Sequence, residues 1–127
     1  MDVTDLIIYK NALKLLEPIY KLVSIIPHNE FELKSQLVNS ARAISAQISE
    51  GFAKRRSQKE FKRFLEMALG SSDEVITHLR QIQLCRFSGV KEETCEVLIR
   101  YYKIESKQIN RYISTIDQKI RHPISDV

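Results

Sequence analysis

The stretch from Ser35 to Leu79 restricts this chain more than any other. Apolar residues recur every three or four positions on both sides of one short basic break, Ala53-Lys54-Arg55-Arg56-Ser57-Gln58. That period is helical, so the stretch reads as two long helices folded back at Lys54–Ser57. Ser57 and Glu60 have the spacing of a capping box. The serine oxygen is expected to take the Glu60 N–H, and the Glu60 carboxylate to reach back to the Ser57 N–H.

Turn residues are scarce across the whole chain. Three glycines and three prolines in 127 residues leave room for few turns, so the elements must be long, which favours helices over a many-stranded sheet. Four amphipathic segments follow, over about residues 5–26, 30–53, 58–87 and 92–121. The first is expected to start at Thr4 or Asp5, to bury Leu6, Tyr9, Leu13, Leu16, Tyr20 and Val23, and to bend at Pro18 before Pro27 stops it. The second is expected to be capped by Asn29 with Glu32, and to bury Leu33, Leu37, Ser40, Ala41, Ile44, Ile48 and Phe52. The third should bury Phe61, Phe64, Leu65, Ala68, Leu69, Ser72, Val75, Ile76, Leu79 and Ile82, and end at Ser88-Gly89 with Gly89 as its left-handed cap. The fourth carries Leu98, Tyr102, Ile109, Ile113, Ile116 and Ile120, widened by Val97 and Tyr101. Arg121, His122 and Pro123 close it, with Ile124–Val127 as a frayed end. The expected fold is all-α, a single domain over 1–127, built as an up-down-up-down antiparallel four-helix bundle.

Centring the hairpin turn near Arg55 predicts which residues lie at one height. Ser40 and Ala41 should face Gly70 and Ser71, small against small, which would justify a glycine in mid-helix. The same register sets Gln47 near Arg63, and Glu50 near Lys59 and Glu60. Gln36, Ser40, Gln47, Glu50, Gly51, Gly70, Ser71 and Glu74 are therefore read as structural helix contacts, the polar ones holding register.

The net charge of +4 is unevenly placed. Lys54, Arg55, Arg56, Lys59, Lys62 and Arg63 accompany one acid, Glu60, within ten residues, so this segment holds +5 and the remainder −1. Cations at this density suit phosphate contact, and the six are the candidate nucleic-acid-binding residues. A solvated loop that only confers solubility is the competing reading. No aromatic interleaving and no DNA-binding motif accompanies the patch.

Other chemistry finds little support. Glu50 and Glu74 lack a partner at the spacing of a catalytic triad, so no catalytic residues and no enzymatic activity are expected. His78 and Cys85, seven apart, share a face of the third helix, and Cys95 could approach across the turn, so the three could hold zinc. They lack any C-x-x-C or H-E-x-x-H spacing, so no metal is expected. No glycine-rich phosphate loop exists, and neither cofactor nor small-molecule substrate is expected. No run of about 18 apolar residues is present, which argues against a membrane span. The start lacks a signal-peptide pattern, and two cysteines suit free thiols in a reducing cytoplasm. Phe31, Phe52, Phe87, Tyr101, Tyr102 and Tyr112 exceed what one small core would hold, which points to a subunit interface.

The hairpin also carries a family resemblance. Leu33 and Gln36, then Ile44, Ile48, Glu50 and Gly51, precede the basic turn. Glu60, Phe61, Phe64, Leu65, Ala68, Gly70, Ser71 and Glu74 follow it. These positions resemble the pattern of the proteins encoded in 23S rRNA intervening sequences, over about a third of the chain, with weaker agreement in the first helix. The sequence departs where the family has paired arginines, here Val38 and Asn39, and where it has asparagine, here Gln47. The resemblance implies a four-helix bundle assembled as a homo-oligomer, a homopentamer, with a link to ribosomal RNA. It implies no established activity. The combined expectation is a non-enzymatic oligomeric bundle associated with RNA. The alternative is a protein–protein scaffold that does not bind nucleic acid.

Overall fold

The computed structural model describes residues 1–122. The expectations for Pro123 and for Ile124–Val127 lie outside them. A 3-10 turn, Val3–Asp5, leads into α1 (Ile7–Lys14), α2 (Leu16–Ser24), α3 (Phe31–Ala53), α4 (Gln58–Cys85) and α5 (Glu92–Arg121). No strand occurs among the described residues, so the fold is all-α. α1 and α2 are two halves of one bent segment, giving four helical segments.

The bend has a local cause. Pro18 has no N–H to offer the Lys14 carbonyl, so one rung of the ladder is lost. Leu15 keeps a helical backbone (φ −72°, ψ −14°). The Leu15 N–H donates to the Asn11 carbonyl at 3.0 Å, and the Ile19 N–H to the Leu15 carbonyl at 3.3 Å. The chain is therefore bent at Pro18 without leaving the helical region.

Helix starts follow the sequence only in part. Asp2, not Thr4 or Asp5, is the first cap. Its carboxylate accepts the Thr4 N–H at 3.2 Å, while the Asp2 N–H donates to Asp5 at 2.8 Å. These bonds close the 3-10 turn, and extended Leu6 then feeds α1. Glu30, not Asn29, precedes α3, with no side-chain cap. Ser57 does cap α4, accepting the Glu60 N–H at 3.2 Å. The reciprocal half of the box is missing, because Glu60 turns to Arg63. α4 ends at Cys85 rather than near Phe87, and Arg86 takes the left-handed cap (φ 54°). Gly89 (φ +85°) serves the following turn, closed by the Val90 N–H on the Phe87 carbonyl at 3.1 Å.

The stripes of α3 and α4 are buried as read, except Leu33 and Leu69, which are half-buried. The first segment differs. Its core side is Ile8, Ala12, Ile19, Leu22 and Ile26, with Leu6. Leu13 and Tyr20 are exposed, and Tyr9, Leu16 and Val23 only half-buried. Both series keep helical spacing, so periodicity did not separate them. Of the six aromatics expected to be surplus, Phe52 and Tyr102 are buried, and Phe87 and Tyr112 pack against the core. Phe31 and Tyr101 alone are strongly exposed.

Polar contacts set how the segments meet. Along α4, Lys62 reaches Asp117 at 2.7 Å, and Ser72 donates to the Tyr102 carbonyl at 3.2 Å. Farther on, Gln83 donates to Glu96 at 2.8 Å. Partners on α5 thus run backwards as α4 runs forwards. The Ser106 hydroxyl lies 2.8 Å from both the Ser72 hydroxyl and the Asp73 carboxylate, which accepts its proton, in the middle of the seam.

Candidate nucleic-acid interface

The tip between α3 and α4 gathers the basic residues. The Lys54 N–H donates to the Gly51 carbonyl at 3.1 Å, and the Ser57 N–H to the Lys54 carbonyl at 3.0 Å. This tight return sends Lys54, Arg55 and Arg56 out into solvent. Ser57 then starts α4, so Lys59, Lys62 and Arg63 emerge from its first two turns.

The six cations fall into three sets. Arg55 and Arg63 stack on phenylalanine rings: Arg55 Cζ lies 4.0 Å from the Phe52 centroid, and Arg63 Cζ 4.5 Å from that of Phe64. Lys54 Nζ sits over the Phe64 ring at 5.4 Å. These side chains use buried aromatics as platforms while their charges stay outside. Lys62 is committed inward by its ion pair with Asp117, and that hydrogen bond raises its pKa. Arg56 and Lys59 are exposed and form no ion pair among the described residues. Arg63 is shared. Its Nε donates to Glu60 at 3.0 Å, and that bond holds the Glu60 carboxyl below the usual carboxylate range.

The Lys62–Asp117 contact also brings the end of α5 to this tip. Lys119 and Arg121 occupy its last turn, and the charge of Arg121 is felt at Lys62. Nothing local in the sequence links positions 62 and 121, so this extension exists only in the fold.

The structural contacts are placed differently from the expected register. Gln47 accepts from the Ser71 hydroxyl at 2.8 Å and does not face Arg63. Ser40 is buried but bonds its own helix, at the Gln36 carbonyl (2.9 Å). Glu74 approaches His78, Oε1 to Nε2 at 3.5 Å. The close approach lies at Gly51: a Cβ there would stand 2.8 Å from Phe64 Cβ and 3.2 Å from Phe61 Cδ1. Gly70 is exposed, with nothing within 4 Å of a built Cβ. Phe61 and Phe64 fill the space beside the turn. The first close contact therefore forms one helical turn along α4, shifting the register beyond it.

A second polar cluster was not foreseen. Glu105 is only 1% exposed, and neither carboxylate oxygen has a hydrogen-bond partner among the described residues; the buried Tyr102 hydroxyl has none either. Burial pushes the Glu105 carboxyl from 4.5 up to about 8, and pushes the Tyr102 phenol up as well. The signal was available: the spacing of Leu98, Tyr102, Ile109 and Ile113 leaves position 105 on the same face. Unpartnered buried polar groups cost about 1–3 kcal/mol each, so a fold rarely keeps one idly.

Cys85 is exposed, Cys95 is buried, and both are free thiols. Among the described residues no three His, Cys, Asp or Glu side chains gather where an ion would sit. No helix among them is long and apolar enough to cross a membrane.

A sequence model of the family described as 23S rRNA-intervening sequence protein matches residues 4–117. No curated protein matches the chain.

Proposed function

The chain belongs to the 23S rRNA-intervening sequence protein family, and on that premise we propose a non-enzymatic, homo-oligomeric protein that associates with ribosomal RNA or other nucleic acid through its basic tip. The carrying observation is that Lys54, Arg55, Arg56, Lys59 and Arg63 all project from one end of the molecule into solvent. Rings of Phe52 and Phe64 orient three of these cations without neutralising them. Held cations lose less freedom on meeting a phosphate, and Arg56 and Lys59 add unpaired charge.

The scaffold of this reading is an up-down-up-down antiparallel four-helix bundle. The backward run of α5 partners along α4 supports it, as does the short turn between α3 and α4. The homopentamer comes from the family resemblance, and exposed Phe31 supplies apolar surface for contacts between copies. At the tip the Glu60 carboxylate is tied to Arg63 and the Ser57 hydroxyl caps α4, which favours binding over catalysis. Free Cys85 and Cys95 suit a cytoplasmic location.

A titration of fluorescent structured RNA at low and moderate salt tests the tip. Arg56→Gln with Lys59→Gln should weaken binding and lower the slope of log affinity against log salt by about two. Lys62→Gln should leave that slope unchanged, because Lys62 is spent on Asp117. RNA ignored at low salt would sink the reading. It would favour a protein–protein scaffold that uses the exposed apolar side chains.

A further inference from the structure

The bent first segment and α5 do not close on each other. Their direct polar link is Asn11 Nδ2 donating to Gln108 Oε1 at 3.2 Å. Beside it lies a cavity of about 390 Å³ lined by Asn11, Lys14, Leu15, Tyr101, Ile104 and Glu105. Past Leu15 and Tyr101 it continues towards Pro18 and Val97 as a second hollow of about 420 Å³.

Two independent observations meet here. The walls are apolar, from Leu15, Tyr101 and Ile104, and Tyr101 and Ile104 are each about half exposed at the mouth (52% and 51%). The inner residue is Glu105; both its carboxylate oxygens are unpartnered among the described residues and closed off from the solvent in the cavity, so a ligand meets them through a turn of the Glu105 side chain. We propose that this cavity is a binding site for a small organic monocation, an ammonium or guanidinium on an apolar stem, with Glu105 as its counter-ion and Leu15, Tyr101 and Ile104 holding the stem.

The chemistry limits the ligand class. An apolar pocket with one buried acid favours one positive charge, since a second would be buried without compensation. An anion would meet the carboxylate directly. A neutral alcohol would gain the walls but not the charge-assisted hydrogen bond. Lys14 does not supply the missing charge: it is exposed and forms no ion pair among the described residues. Its ammonium stays in water, where hydration is retained. The cavity volume falls in the range of small-ligand pockets. This site is remote in sequence from the basic tip, and the proposal does not rest on the RNA reading.

Calorimetric titration of the full chain with n-hexylamine against 1-hexanol tests it, at about pH 8.5, where an alkylammonium with a lysine-like pKa is still protonated. One amine per chain is expected, with a Kd about tenfold or more below that of the alcohol. Glu105→Gln should erase the difference between the two ligands. Lys14→Met, at an exposed position, removes a nearby like charge and should tighten the amine, so it carries the test if Glu105→Gln does not fold. Equal affinity for amine and alcohol would overturn the proposal, as would full amine binding in Glu105→Gln or weaker binding in Lys14→Met. No amine binding at all would also overturn it.

Discussion

α5 presents two seams, and they are built in opposite ways. Against α4 a line of its polar groups finds partners. Ser106 bridges Ser72 and Asp73, Ser72 reaches the Tyr102 carbonyl, and Lys62 and Gln83 close the two ends. Against the first segment, one amide contact stands beside a hollow, and a carboxyl is left without a partner. The matched seam sets how the helices lie. The unmatched seam leaves room for something else. Buried polar groups specify an arrangement when satisfied, and mark a place of strain or use when they are not.

The largest effect should come from the unmatched side. Glu105 ionises at about 8 in the fold and at an ordinary 4.5 in the unfolded chain. The folded state therefore holds an extra proton between those values. Its contribution to stability is fully present below 4.5 and is lost as pH rises through about 8. Urea denaturation at stepped pH should show stability falling across this window, by an amount on the order of a few kcal/mol. Glu105→Gln should flatten that slope. Equal slopes in both proteins would mean that the groove carboxyl is solvated, and would erase the contrast between the seams.

The α3–α4 contact offers a sharper comparison, between two glycines in long helices. Gly51→Ala should destabilise the fold by about 1–3 kcal/mol, because its Cβ meets Phe64 while both backbones are held. Chemical denaturation would measure it, and a neutral result would deny the close approach. Ser57→Ala should cost about 1 kcal/mol by leaving the Glu60 N–H uncapped. Gly70→Ala should instead stabilise by about 0.5–1 kcal/mol, since the site is open and alanine is the better helix former. A destabilising Gly70→Ala would show that something covers that face.

These glycines separate what is local in the sequence from what packing decides. Gly51 and Gly70 are equally conspicuous as letters, and hairpin arithmetic assigned the close approach to Gly70. The approach moved because Phe61 and Phe64 occupy the space beside the turn, and the size of a side chain across an interface is invisible to register counting. The capping box was half right for a similar reason. Glu60 had a choice between the Ser57 N–H and the Arg63 guanidinium, and the charged partner took it. The patch was legible as a run of cations. Its division into stacked, paired and free residues was not, because it depends on Phe52, Phe64 and Asp117.

The sequence alone determined the helical segments, the buried faces of α3 and α4 and the gathering of cations at one turn. Each follows from local period or from neighbours along the chain, and a local cause needs no partner to be read. The tertiary structure decided which side of the first segment faces inward, since Leu13 and Tyr20 keep the same spacing as Ile8 and Ala12, and only packing against other helices separates the two series. It also decided the fate of Glu105. A glutamate on an apolar stripe becomes an unpartnered buried acid only when the opposing helix supplies neither a cation nor a donor. That fact belongs to two distant segments at once.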